Sequence, residues 1–182
     1  MKILIASDIH GSAYYCSALL ERFEDEKADY LVLLGDILYH GPRNDLPRDY
    51  APKRVIDMLN GVADKIIAVR GNCDTEVDQM VLKFPLLAEY SHLLVSERLI
   101  YLTHGHHLDS LLTLLKSGSA TVFYGHTHIP EYRKEGSVTV INTGSVSIPK
   151  ENSRNSYVLI ENDKVLWKDV TNGEIYKEIM LL

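Results

Sequence analysis

Short apolar runs that end abruptly in polar, glycine-flanked turns recur along this chain. Lys2–Ala6 is apolar and β-branched before Ser7-Asp8 turns polar, Tyr30–Leu34 does the same before Gly35-Asp36, and Ile66–Val69 before Arg70-Gly71-Asn72. Leu99–Leu102 leads into Thr103-His104, and Thr121–Tyr124 into Gly125-His126. Runs of this length, apolar throughout, predict strands buried on both faces. Between them Ser12–Phe23, Pro52–Leu59, Asp74–Val81 and Leu108–Lys116 read as helices. Alternating β and α elements predict crossover connections, with residues at the carboxyl ends of the strands gathered along one edge of the sheet. Beyond Ile129 the pattern changes. Thr139–Asn142, Tyr157–Glu161, Lys164–Asp169 and Glu174–Ile179 are strand-like, and Asn162-Asp163 and Asn172-Gly173 are good hairpin turns between them. The second half is therefore expected to be more antiparallel.

The chain has 182 residues, a size that predicts one domain, 1–182, with a substantial core. Its formal net charge of −6 argues against a bulk nucleic-acid or anionic-membrane surface, both of which want a basic face. Cys16 and Cys73 are its only cysteines, so no disulfide framework is expected. The start, Met1-Lys2-Ile3, does not read as a secretory signal, and no apolar run approaches the ~20 residues of a membrane span. A cytoplasmic location is the expectation. The apolar tail Ile179-Met180-Leu181-Leu182 can cover either a second subunit or the chain's own core, which leaves a homo-oligomer open.

The polar turns carry the chemistry. Asp8-Ile9-His10, Gly35-Asp36, Gly71-Asn72-Cys73-Asp74, His104-Gly105-His106 and Gly125-His126-Thr127-His128 each follow one of the apolar runs. Asp8 and His10, one residue apart on a turn, can lean toward one cation, and Asp36 can bridge two cations through its two oxygens. Asn72 offers a neutral carbonyl oxygen, and His104, His126 and His128 offer imidazole nitrogens. Carboxylate, amide oxygen and imidazole suit Mn²⁺, Fe, Zn²⁺ and related ions such as Ni²⁺ or Mg²⁺, and not a thiolate-rich structural zinc site. Two divalent ions held by two carboxylates leave a net positive centre in an acidic chain, a place for phosphate.

In this order, D-x-H, G-D, G-N-x-D, H-G-H and G-H-T-H resemble the calcineurin-like metallophosphoesterases. Gly41-Pro42-Arg43-Asn44, Ala68–Asp74 and Asn142–Lys150 extend the resemblance to the bacterial YfcE-type phosphodiesterases, over about the first 150 residues. The resemblance implies a four-layer α/β/β/α sandwich of two mixed sheets flanked by helices. It implies two divalent metal ions, Mn²⁺ foremost, one held by Asp8, His10, Asp36 and His128 and the other by Asp36, Asn72, His104 and His126. It also implies hydrolysis of a small-molecule phosphodiester by in-line attack of a metal-bridging hydroxide. Where many members of the superfamily carry His, this chain has Cys73, as YfcE-type members do. A thiol, with an ordinary pKa of about 8.5, is a weaker proton donor. That substitution points toward diesters with good leaving groups over phosphomonoesters.

Other residues admit two readings each. Arg43 and Arg70 can clamp a phosphate or form surface salt bridges, and Arg70 has the better case because it adjoins Asn72. Asp74 can orient a histidine ligand or cap the helix expected to begin there. With Asn72, Cys73 and Arg70 it completes the candidate catalytic set. His106 can stand behind the ligands, His107 reads as a helix N-terminal residue, and Cys16 as a small buried hydrophobe. The Tyr39–Pro52 loop shapes a pocket or merely connects elements. Two competing functions are a protein scaffold on the same fold, as in retromer subunits of the Vps29 type, and a phosphomonoesterase.

Overall fold

A computed structural model describes residues 1–116 and 118–181. The alternating half forms as the apolar runs dictate: β1 (Ile3–Ala6), α1 (Ala13–Asp25), β2 (Tyr30–Leu33), α2 (Pro52–Asn60), β3 (Ile66–Ala68) and α3 (Glu76–Val81). Then come β4 (Tyr90–Val95), β5 (Arg98–Thr103), α4 (Leu108–Leu115), β6 (Ala120–Tyr124), β7 (Glu131–Glu135) and β8 (Val138–Asn142). The chain closes with β9 (Ser156–Glu161), β10 (Lys164–Asp169) and β11 (Ile175–Met180).

Two sheets result, in the orders β11-β10-β9-β1-β2-β3 and β4-β5-β6-β8-β7. Each contains a parallel run, β1-β2-β3 at one side of the first and β5-β6-β8 in the middle of the second, completed by antiparallel strands. The antiparallel strands are thus not a separate half. β9–β11 extend the first sheet, while β4 and β7 flank the second.

Side-chain alternation builds the layers. Ile3 and Ile5 on β1 join Ile100, Leu102, Phe123 and Trp167 in the core between the sheets, whereas Leu4 and Ala6 face α1 and α2 with Leu19 and Val55. On the far side of the second sheet, Leu108, Leu111 and Leu112 of α4 cover Val122, Tyr124 and Val140. The four layers α/β/β/α are those expected. The hairpin turns also form: Asn162 and Asp163 both take positive φ, 50° and 60°, as a two-residue primed turn requires.

Capping differs from expectation at α3. Thr75 is its N-cap, in a reciprocal pair with Asp78, and not Asp74. His107 does stand at the N-terminus of α4. Cys16 is fully buried, and desolvation pushes its thiol up to about 12, so it is a small core residue. At the tail, Leu181 is buried and Met180 is exposed, while Leu182 lies outside the described residues. Among the described residues no helix is long and apolar enough to cross a membrane.

Candidate metal centre

The parallel strands β1, β2, β3, β5 and β6 deliver their carboxyl ends to one edge, where the seven candidate ligands meet. Getting there takes unusual backbone. Asp8, His10, Asp36, His126 and His128 all have positive φ, between 49° and 64°, a region that non-glycine residues seldom occupy and that concentrates at functional sites. The neighbouring glycines are fixed by contact: a Cβ on Gly71 would lie 2.2 Å from Asp36 Oδ1, and one on Gly125 would lie 2.0 Å from Ser7 Oγ.

Each carboxylate divides its work. Asp8 Oδ2 accepts from the His126 N–H at 3.0 Å, and its Oδ1, buried, accepts no well-formed hydrogen bond. That Oδ1 has His10 Nε2 at 3.4 Å and His128 Nε2 at 3.2 Å. Asp36 Oδ1 accepts from the Cys73 N–H at 2.8 Å, which leaves Oδ2 facing His10 Nε2 at 3.7 Å and His104 Nε2 at 3.5 Å.

Three imidazoles are locked the same way. His10, His104 and His128 donate Nδ1–H to the carbonyls of Tyr39, Leu34 and Ile148, each at 2.7 Å, so Nε2 points inward. In the neutral rings those Nε2 atoms are lone-pair acceptors. Yet His10 Nε2 and His128 Nε2 stand 3.3 Å apart, and His104 Nε2 has Asn72 Oδ1 at 3.0 Å and His126 Nδ1 at 3.2 Å. Acceptors converging on one another need a cation among them. Donor sets such as Asp8, His10 and His128, or Asp8, Asp36 and His104, lie close enough to share one. The residues fit divalent metal.

Without metal, protons play that part. Burial pushes Asp8 up, but contacts with His10 and His128 outweigh it and hold the carboxyl well below its usual range. For His104, burial is likewise outweighed, here by Asp36 and Asp8, which raise the ring to about 9. His126, desolvated and beside His104, falls to about 4.

Asp74 neither caps α3 nor orients a histidine. Its Oδ2 accepts from Asp36 N and Gly71 N, both at 2.8 Å, and its Oδ1 from Ile37 N at 2.9 Å, so it ties the loop after β2 to the loop after β3. Desolvation raises it to about 6 against those three donors. Arg70 turns away from the centre: its Nε donates to Asp74 O at 3.1 Å and its Nη1 lies 3.9 Å from Glu76. A cleft of about 360 Å³ opens over the centre, lined by Asn72, Cys73 and His128, and by Arg43 and Lys150, while Arg70 is not among its lining residues. The Cys73 thiol takes a weak contact from Asn72 Nδ2 at 3.3 Å. Burial, then the neighbouring Asp36, pushes that thiol up. His106 stands behind His104 and pairs with Glu89 at 3.5 Å.

Sequence reasoning passed over the serines that brace the centre. Ser145 Oγ and Ser147 Oγ both donate to Asp8 O, at 2.9 and 3.1 Å, and Asn142 Nδ2 donates to Gly125 O at 2.6 Å. Their signal was present in the stretch Asn142–Lys150, which contributes no metal-ligating side chain and serves as a strut.

Two facing sheets with a metal-fitting cluster at their common strand edge define a metallophosphoesterase. The chain belongs to the calcineurin-like phosphoesterase superfamily, whose domain model matches residues 1–164. It is an enzyme of that family, a family that uses divalent metals. Phosphodiesterase YfcE of Escherichia coli K12 is 47% identical over 163 residues, 90% of this chain and 89% of that one. A solved structure of YfcE, described as a phosphoesterase from E. coli, superposes with a TM-score of 0.90 over 100% of both chains at 41% identity. Phosphodiesterase MJ0936 of Methanocaldococcus jannaschii is 28% identical over 79% of this chain and 83% of its own length. Vps29 of Entamoeba histolytica, solved with Zn²⁺, shares the fold, with a TM-score of 0.65 at 18% identity over 100% of both chains.

Proposed function

We propose that this chain hydrolyses a small-molecule phosphodiester at a pair of divalent cations. Asp8, His10, Asp36 and His128 hold one, and Asp36, Asn72, His104 and His126 the other. The observation that carries this reading is the position of Asp36 Oδ2, free of backbone and between two inward-facing imidazoles at 3.7 and 3.5 Å. A single oxygen shared by two donor groups is what a bridging ligand needs. The 47% identity with a named phosphodiesterase supports the substrate class. Mn²⁺ is the first ion to test, with Fe, Zn²⁺, Ni²⁺ and Mg²⁺ after it.

Bound divalent ions supply Lewis acidity toward the phosphoryl oxygens and a lowered pKa for attacking water. The chain's own residues fix where that happens. The three Nδ1–H bonds to backbone carbonyls fix the orientation of the imidazoles, Asp74 holds the two loops that bear Asp36 and Asn72, and Cys73 stands beside Asn72 at the cleft. A thiol protonates a departing alkoxide poorly, which favours substrates whose leaving group needs no help.

The test is hydrolysis of a chromogenic aryl diester against the matching monoester with metals varied. The diester should be cleaved faster, and Asn72→Ala or His126→Ala should lower its rate by more than about 100-fold, beyond what a supporting residue costs. Equal or faster monoester turnover would reject the substrate assignment. A scaffold role has one observation in its favour, the exposed Val77 and Met80 on α3, at 67% and 83%. Absence of turnover with every metal would shift the reading there. Location in the cytoplasm accords with this function.

A further inference from the structure

The metal-binding side of the cleft is explained by the reading above, but its outer wall is not. That wall includes Gly41–Asn44 of the proline-rich loop, and Lys150. The loop is tied down at both ends to the segment that carries Asp8 and His10. Tyr39 O accepts from His10 Nδ1 at 2.7 Å, Asn44 Nδ2 donates to His40 O at 2.8 Å, and Ser12 Oγ donates to Arg48 O at 2.6 Å. At its crest Gly41 takes φ +79° and passes close enough to Cys73 that a Cβ there would lie 3.3 Å from the thiol. Arg43 follows two residues later. Lys150, for its part, is held beside the centre by its own backbone, whose N–H donates to His128 O at 3.2 Å.

Arg43 is singular in its chemistry. Every other arginine among the described residues has an ion pair or lies over an aromatic ring, including Arg48 of the same loop, 3.5 Å from the centre of the Tyr14 ring, and Arg54 of α2, paired with Asp49. Arg43 has neither, and Lys150 also lacks an ion pair among the described residues. Two uncompensated cations thus flank one cleft in a chain whose net charge is −6. The reacting phosphate of a diester carries a single negative charge, which two divalent ions, offset by two carboxylates and an attacking hydroxide, would already balance. The surplus of Arg43 and Lys150 calls for another anion.

We infer that the substrate is a phosphodiester bearing a second anionic group, a terminal phosphate or carboxylate, which lies against Gly41–Asn44 and is gripped by Arg43 with Lys150 adding charge. This rests on the phosphodiesterase reading and narrows its substrate class. The experiment uses aryl diesters that share one reacting phosphate and end in a methyl, a carboxylate or a phosphate, the tail placed in turn on the leaving and on the retained alcohol. In one of the two series the anionic tail should raise kcat/KM by about tenfold over the neutral one, the lower end for a charge-assisted contact at an exposed residue. Arg43→Gln should bring that ratio close to one, and Arg43→Lys should keep part of it. An anionic tail without advantage in either series, or an advantage undiminished in Arg43→Gln, overturns the inference, because Arg43 would then serve the reacting phosphate or nothing. If no diester turns over, the hydrolytic reading fails on its own. The subsite is then scored by equilibrium binding of the matching non-hydrolysable phosphonates to the Mn²⁺-loaded protein, with the same ratio expected and the same results contradicting it.

Discussion

Asp8, His10 and His128 are buried to 0, 1 and 3% exposure, and both imidazoles are pinned by backbone carbonyls. Across Asp36 the other donor group is looser. His104 has the same kind of anchor, but Asn72 is exposed, His126 is half-buried, and neither side chain is tied to a carbonyl among the described residues. The first half is assembled by the fold before any ion arrives. In the second, Asn72 Oδ1 and His126 Nδ1 lie 3.0 and 3.2 Å from His104 Nε2, but no backbone carbonyl among the described residues holds either side chain there. Preorganisation favours affinity, so the two proposed ions should bind unequally, the tight one beside Asp8 and the exchangeable one beside Asn72.

The largest effect should separate those halves. His10→Ala should weaken the tight ion by more than about 100-fold, whereas His126→Ala should leave that ion in place and weaken only the second, as read by calorimetric titration and metal analysis. Equal loss of both ions in both variants would erase the asymmetry. An effect of similar size, on stability instead of affinity, should come from the residue that ties the Asp36 loop to the Asn72 loop. Asp74→Ala strands three backbone N–H groups of the Asp36 and Asn72 loops, and should cost about 3 kcal/mol in urea unfolding. A loss within error of zero would mean that water replaces the carboxylate and that the loops need no tie.

The smallest effect is a change of slope. Asp8 and Asp36 raise His104 to about 9 from the usual 6.5, and Asp8 raises His10 above it as well, against the burial that lowers both. The folded chain therefore binds more protons than the unfolded one across that window. Metal-free protein should lose stability as pH rises from 6.5 through about 9, by at most about 1.4 kcal/mol per pH unit for each histidine. Metal-loaded protein should show a flat or rising profile, because ligation requires neutral imidazole. Parallel profiles with and without metal would show that the ions do not displace those protons.

Much of this was legible in the chain. Unbroken apolar runs marked the central strands because both their faces are buried, and the motif order placed all seven ligand candidates. The edge strands were harder. β7, Glu131–Glu135, is almost wholly charged, as an exposed edge tends to be, and so carries no apolar signal. The assignment of β9–β11 to the first sheet depends on pairing across more than 150 residues of sequence, seen in Ile3 opposite Ile160, which local pattern does not encode. Neither reading of Asp74 anticipated its role, and of the two for Arg70 the structure bears out the salt bridge and not the one preferred. Asp74 takes its bonds from backbone N–H groups of Asp36, Ile37 and Gly71, and Arg70 donates to the backbone carbonyl of Asp74 and lies near Glu76; backbone partners leave no mark on residue type.

The central claim is that one carboxylate oxygen, Asp36 Oδ2, is shared by two ions. Anomalous scattering from crystals grown with Mn²⁺ tests it directly. Two peaks roughly 3.5–4 Å apart on either side of Asp36, the one beside Asp8 the stronger at limiting metal, are the expected result. A single peak, or two that Asp36 does not join, would contradict it.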